Sequence, residues 1–257
     1  MHIMLSIIIP ALNEEKYLPI LLSQIKKQNF SGGKYEIIVA DAGSKDKTVE
    51  IAKSFGCKIA KGGLPAKGRN EGAKIAQGEV FLFMDADNKF LPEKFLEKLI
   101  FEFKKRNLGV ASFSIYPNGK KIDKILYGIY NNFVNLTQIP FATNVVLVKK
   151  EIFEKVGGFD EKITIGEDHY FAKQAAKYEK FGFIKMEPIL TSSRRLEKEG
   201  RFKTYLSYIL AGILILFGPV KSKIFNYYHK PSFHYRAPER SEDEKENEIL
   251  FRPWKRR

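Results

Sequence analysis

The sequence predicts an α/β protein with a mainly parallel central sheet flanked by helices, and three observations lead there. Residues 1–90 alternate short apolar runs with amphipathic stretches at helical spacing, the pattern of repeated βαβ units with right-handed crossovers. The run Val80-Phe81-Leu82-Phe83-Met84 is apolar at every position, as a strand covered on both faces must be. Three polar clusters, Asn13-Glu14-Glu15, Asp41 to Asp46 and Asp85-Ala86-Asp87, each follow an apolar run. In a parallel sheet these positions share one edge, beyond the carboxyl ends of the strands, where ligands bind.

Taken in order, Leu5–Ile9 is the first predicted strand, closed by Pro10. A helix follows, with Leu18, Leu21, Leu22 and Ile25 on one face. Tyr35–Ala40 reads as a strand, Asp41-Ala42-Gly43-Ser44 as a turn, Lys45–Phe55 as a helix and Lys58–Ala60 as a third strand. Lys67–Gln77 reads as a helix stopped by Gly78, and Val80–Met84 as the fourth strand. Pro92 opens a helix whose apolar face is Phe95, Leu96, Leu99, Ile100 and Phe103. Beyond it the pattern weakens. Val110–Ile115 and Val145–Val148 read as strands, Ile122–Leu136 as a helix, and Gly157-Gly158-Phe159-Asp160 as a turn. Glu167-Asp168 opens a helix through Tyr178, where acids suit the positive N-terminus. Phe183–Met186 and Ile189–Thr191 read as short strands.

The chain's 257 residues suffice for one α/β domain with an appendage. The expected division is one main domain over 1–200, in two halves (1–90 and 91–200). An apolar helical segment over 201–228 and a polar, basic, mobile tail over 229–257 would follow. With 44% hydrophobic and 29% charged residues, disorder of the whole chain is excluded. Cys57 is the only cysteine, so no internal disulfide can form, and a reducing cytoplasmic setting is expected, the inner face of the cell membrane included. No secretory leader is expected, because Leu5–Leu12 is short and acidic residues follow it. The net charge of +14 is densest after residue 200 and suits nucleic acid, an anionic membrane or a phosphorylated substrate.

Asp85 and Asp87 carry the sharpest chemistry. Two carboxylates just past a buried strand repel each other and call for a cation. Hard oxygen ligands suit Mg2+ or Mn2+, with a nucleotide diphosphate completing the shell. Standing alone, Asp-x-Asp is also an ordinary polar turn. Its setting changes that. The chain resembles the family 2 glycosyltransferases, of GT-A fold, over about residues 4–200. The matching pieces, in order, are Ser6 to Glu15, Asp41 to Thr48, Lys67-Gly68-Arg69-Asn70, Asp85-Ala86-Asp87, Gly157 to Asp160 and Glu167-Asp168. Ala42 stands where the family often has Asp or Gly.

The resemblance implies an inverting transfer of a sugar from a nucleotide diphosphate, a UDP-sugar being favoured, to an acceptor hydroxyl or a lipid-linked phosphate. It places Pro10, Asn13 and Glu14 beside the base and ribose, and Asp41 as acceptor of a base N–H. Arg69 and Asn70, and more weakly Lys67, would serve phosphate and nucleotide oxygens. Asp87 would bind the metal directly, while Asp85 would reach ribose or a metal-bound water. Asp168 would be the general base and Glu167 would orient its surroundings. Arg194 or Arg195 would close over the diphosphate. His169 reads as structural.

The uncharged stretch Thr204–Val220 leaves three readings open: a helix on an anionic leaflet, a helix buried on the domain or a partner, or a spanning helix. The first would favour a glycan or polyprenyl-lipid acceptor. Two other functions compete. A sugar-phosphate nucleotidyltransferase would carry a Gly-rich loop after the first strand, where this chain has Pro-Ala-Leu-Asn-Glu-Glu. A basic nucleic-acid-binding module would show a zinc spacing, an RNP-like motif or interleaved basic and aromatic residues, and none is evident.

Overall fold

The computed structural model describes residues 3–31, 33–143, 145–163 and 166–218. The predicted tail over 229–257 and residues 219–228 lie outside the described residues. The first half runs β1 (Ile3–Ala11), α1 (Leu18–Lys26), β2 (Gly33–Asp41), α2 (Thr48–Ser54), β3 (Lys58–Lys61), α3 (Pro65–Lys74), β4 (Val80–Met84) and β5 (Asn88–Phe90). Then come α4 (Phe95–Lys105), β6 (Val110–Asn118), α5 (Lys121–Thr137), β7 (Val145–Lys149) and α6 (Lys150–Val156). The chain continues through α7 (Glu167–Ala175), β8 (Phe181–Ser192), α8 (Arg194–Lys198) and α9 (Arg201–Phe217).

The eight strands form one sheet in the order β3-β2-β1-β4-β7-β6-β8-β5. β1 pairs in parallel with β2 and β4, and β2 with β3. The expectation of a mainly parallel sheet fails past β4. There β7 lies antiparallel between β4 and β6, and β5 lies antiparallel to β8, so the sheet is mixed. The reason is physical. Val145–Val148 is apolar on both faces, and such a run reads the same whichever way the strand points. The two short strands predicted near residues 183–191 are one strand, β8, which pairs in parallel with β6 through a register shift between Phe113 and Ile115.

Alternation along each strand sets two cores. Leu5, Ile7 and Ile9 of β1 and Val80, Leu82 and Met84 of β4 face Leu18, Leu22, Phe95 and Leu99 of α1 and α4. Ile8, Phe81 and Phe83 face the other layer, with Phe153, Phe159 and Phe171 around α6 and α7. α3 presses so close that a Cβ on Gly72 would collide with the Ile8 methyl, so only glycine fits there. The C-terminal apolar helix begins at Arg201, where the helical segment was expected to start. At 1.5 Å rise per residue, its 17 residues reach about 25 Å, short of a roughly 30 Å hydrocarbon core. Among the described residues no helix is long and apolar enough to cross a membrane.

Candidate active site

The carboxyl ends of β1, β2 and β4 meet at one rim, and hydrogen bonds stitch the polar clusters together there. Asp41 ends β2, and its Oδ2 accepts from the backbone N–H of Gly43 (2.9 Å) and Ser44 (3.0 Å). Gly43 has φ +90°, which lets the turn fold back on its own carboxylate. The Asn13 N–H donates to Ser44 Oγ at 2.9 Å, and Asn13 Oδ1 accepts from the Lys45 N–H at 2.8 Å. Asn13 takes a left-handed φ of 54°, a conformation Asn tolerates better than bulkier residues. The Glu14 N–H donates to Thr48 Oγ1 at 2.8 Å. Asp41 thus joins the Asn13-Glu14 loop, and its other oxygen, Oδ1, is buried with no partner. A buried acceptor without a donor is costly, and a ligand N–H would satisfy it.

The second stitch is charged. Arg194, at the start of α8, donates to both oxygens of Glu14 at 2.7 and 3.2 Å and stands 3.5 Å from Asp87 Oδ2. Its guanidinium lies over the Tyr17 ring, 5.2 Å from the centroid. The third is Arg69 of α3, 2% exposed, which donates to Asp85 Oδ1 at 2.9 Å and to Glu167 Oε1 at 2.7 Å. Beneath it, 5.2 Å away, lies the ring of Phe159. Phe159 stacks on Phe171 at 4.2 Å, so the Gly157-Gly158-Phe159 turn is a footing for the arginine.

The carboxylates here are electrostatically strained. Burial pushes Asp85 up to about 7; Arg69 opposes this, while Asp87, Glu167 and Asp168 add to it. Burial raises Asp87 to about 6 against the pull of Arg194, with Glu14 adding repulsion. Glu14 is raised by burial as well, partly offset by Arg194. Such a set favours a bound cation. Two hard carboxylates two residues apart fit Mg2+ or Mn2+ when ligand oxygens supply the remaining positions. Among the described residues no group of three His, Cys, Asp or Glu side chains makes a ready cage, so most of the shell would come from the ligand and water.

Asp168 behaves oppositely. Burial works to raise it, but His169 and Arg69 outweigh burial and hold it below the ordinary carboxylate range. Its Oδ1 accepts from the His169 backbone N–H (2.8 Å) and lies 3.0 Å from the ring Nδ1. His169 Nε2 lies 3.2 Å from Tyr130 Oη. The ionised Asp168 carboxylate can only accept, so the ring proton on Nδ1 points at it, while the Tyr130 hydroxyl meets Nε2 on the far side of the ring. His169 and Tyr130 therefore belong to the site. Sequence reading set His169 aside and had no signal for Tyr130, which lies mid-helix on α5. Thr191 is a further addition, 3.4 Å from Asp87 Oδ1.

Not every expected residue turns to the rim. Asn70 spends its amide on the Phe159 backbone, donating to its C=O and accepting from its N–H at 2.9 Å each, so it braces the loop under Arg69. Lys67 is exposed and lies along Gly63. Arg195 turns away toward Glu199 and Tyr208. Pro10 packs against Gly68 at the base of the rim. A separate cleft of about 510 Å3, lined by Glu79, Val80 and Lys149, lies at the other end of β4, away from these groups.

A mixed α/β sheet with acids collected at the ends of its parallel strands is the architecture of the nucleotide-sugar transferases of GT-A type. Solved structures share it. Staphylococcus aureus TarS 1-349 in complex with UDP-GlcNAc superposes with TM-score 0.61 at 22% identity, over 75% of this chain and 58% of that one. The mannosyltransferase PcManGT from Pyrobaculum calidifontis, in complex with GDP-Man and Mn2+, gives 0.62 at 18% identity, over 75% and 57%. In sequence, the profile of glycosyl transferase family 2 matches residues 6–158, more than half of the chain. An uncharacterized glycosyltransferase of Haemophilus influenzae is 29% identical over 204 residues, 73% of this chain and 67% of that protein. The chain belongs to glycosyl transferase family 2. It spans only 57–67% of the length of these relatives.

Proposed function

We propose that the chain transfers a sugar, with inversion, from a nucleotide diphosphate to an acceptor hydroxyl or a lipid-linked phosphate, with a UDP-sugar as the favoured donor. One observation carries the reading: Asp41, Asp85, Asp87 and Asp168, from three remote stretches, sit on one rim linked by Asn13, Glu14, Arg69 and Arg194.

In this reading, Asp41 Oδ1 accepts the base N–H while Oδ2 stays pinned by its turn. Asp87, with Asp85, would hold the divalent ion, which supplies Lewis-acid neutralisation of the leaving diphosphate. Arg194 shields Asp87 from Glu14 and adds positive charge at the diphosphate. Arg69 holds Asp85 and Glu167 at fixed spacing across the cleft. Asp168, kept ionised by His169 and Arg69, takes the proton of the acceptor hydroxyl. The acceptor oxygen bonds to the anomeric carbon from the face opposite the diphosphate. The bond to the diphosphate oxygen breaks, its electron pair leaves with that oxygen, and the configuration inverts. A phosphate acceptor arrives already ionised and would need Asp168 only to orient it. The acceptor reading includes peripheral membrane contact through Thr204–Val220, because a lipid-linked acceptor is presented there.

Thermal denaturation with UDP- and GDP-sugars, with and without Mn2+, tests the donor reading. The expected outcome is stabilisation by a UDP-sugar that requires the cation and disappears in Asp87→Ala. The GDP-Man bound to PcManGT makes the guanine series the necessary comparison. Equal stabilisation of the variant and the parent would remove Asp87 from the metal site.

A further inference from the structure

Sequence reading singled out α9 alone as the membrane element; the structure adds a second helix beside it. Ile122, Ile125, Leu126, Ile129, Phe133 and Leu136 of α5 are all exposed, Ile129 by 63% and Leu136 by 81%. Their spacing places them on one stripe about 100° wide. α9 carries a second stripe, with Phe202, Leu206, Ile209 and Ile213 exposed. The two helices meet through side chains near their N-terminal ends. Asp123 accepts from Arg201 Nε and from the Tyr205 hydroxyl, and the rings of Tyr127 and Tyr205 lie 6.4 Å apart. These contacts advance in the same direction along both helices, so both stripes turn to one side of the pair.

Single exposed apolar residues are ordinary, but two adjoining stripes of large aliphatic and aromatic side chains are not. Charge indicates the occupant. α9 contains no acid, and the only acid of α5, Asp123, is buried against Arg201. Lys120, Lys121, Lys124 and Lys203 are exposed at the N-terminal ends of the two helices. Glu197 and Glu199 are exposed just ahead of α9, but the apolar stripes themselves are edged by ammonium groups, which matches a bilayer surface with anionic headgroups.

We infer that α5 and α9 together form a docking platform for an anionic membrane surface. The platform backs directly on the base. α5 presents Ile129 and Phe133 outward, while the adjacent Tyr130 meets His169 behind Asp168. α9 seats Ile215 against Gly166, one residue before α7. An acceptor anchored in the bilayer would therefore be delivered beside Asp168. That consequence for the acceptor rests on the proposed function; the docking itself does not.

Flotation of the full chain with phosphatidylcholine vesicles, with and without phosphatidylglycerol, tests it. The parent should float with the anionic vesicles, and Ile129→Glu/Phe133→Glu should bind them about tenfold or more weakly. Lys120→Gln/Lys121→Gln/Lys124→Gln should lose the preference for phosphatidylglycerol. Both variants should keep the parent's melting temperature and its stabilisation by nucleotide sugar with Mn2+, since none of these residues touches the rim. A parent that stays unbound overturns the inference, as does equal flotation of the Glu variant. A parent that is dimeric without lipid, with the Glu variant monomeric and neither floating, overturns it in favour of a second copy of the chain. Flotation without any nucleotide response would leave the platform standing and sink the donor reading.

Discussion

Asp168 is held by a neighbour that faces two ways. The His169 ring gives its Nδ1 proton to the carboxylate and meets the Tyr130 hydroxyl at Nε2, so the tyrosine fixes the ring's orientation behind the base. Tyr130→Phe would free the ring to turn away from Asp168. Asp168 would then lose a hydrogen bond to its charged form, and its acidity would weaken. The expected result is a kcat lower by about three- to tenfold, with donor KM unchanged and the acidic limb of the kcat profile moved to higher pH. Asp168→Asn, by contrast, should lower kcat by about a hundredfold or more while donor binding persists. Initial rates across pH with saturating donor distinguish these outcomes. An unchanged profile in Tyr130→Phe would make the hydroxyl a packing group only.

Elements at the edge opposite the rim are tied by one carboxylate. Glu36 Oε1 on β2 accepts from Ser6 Oγ of β1 and from the Gln77 N–H after α3, each at 2.6 Å, and Lys58 of β3 stands 2.7 Å from Oε2. Burial alone would raise this acid, but Lys58, Ser6 and Gln77 together hold it below its ordinary value. A depressed carboxylate adds stability above its unfolded pKa and loses it as pH falls through the folded one. Glu36→Gln should therefore cost about 1–2 kcal/mol near neutral pH. The gap to the parent should close as pH drops below 4.5, the ordinary value. Urea titrations across that range would show it, and a constant gap would mean that packing, not charge, is responsible. Element boundaries were legible where periodicity was strong: Leu18, Leu21, Leu22 and Ile25 are all buried on α1, as their spacing requires. β5 and α6 were not legible, because three residues of strand and seven of helix carry too little pattern to stand apart from turns.

Across the whole molecule, the arginines close distances that the chain leaves open. Arg69 bridges Asp85, 16 residues away, and Glu167, 98 residues away, while itself buried. Arg69→Met would leave two half-buried carboxylates facing each other without a countercharge. Losing the shared partner of a fully buried pair costs about 3–5 kcal/mol, and partial exposure of Asp85 reduces this to about 1–3 kcal/mol, measurable as a lower urea midpoint. A loss under 1 kcal/mol, on the order of a surface ion pair, would show that the acids relax into solvent.

Asp41, Asp85 and Asp87 could be placed at the rim from residue order alone, since carboxylates just past apolar strands must gather where parallel strands end; Asp168, at a helix start, could be named only through the family resemblance. Pairing direction, the turn of Asn70 and Arg195 away from the rim, and the Tyr130–His169 support could not. Local pattern records which face of an element avoids water, a property of neighbouring residues along the chain. Which remote groups then meet depends on how the buried faces stack, and that is settled only when β7 enters the sheet reversed and α5 and α7 close against each other.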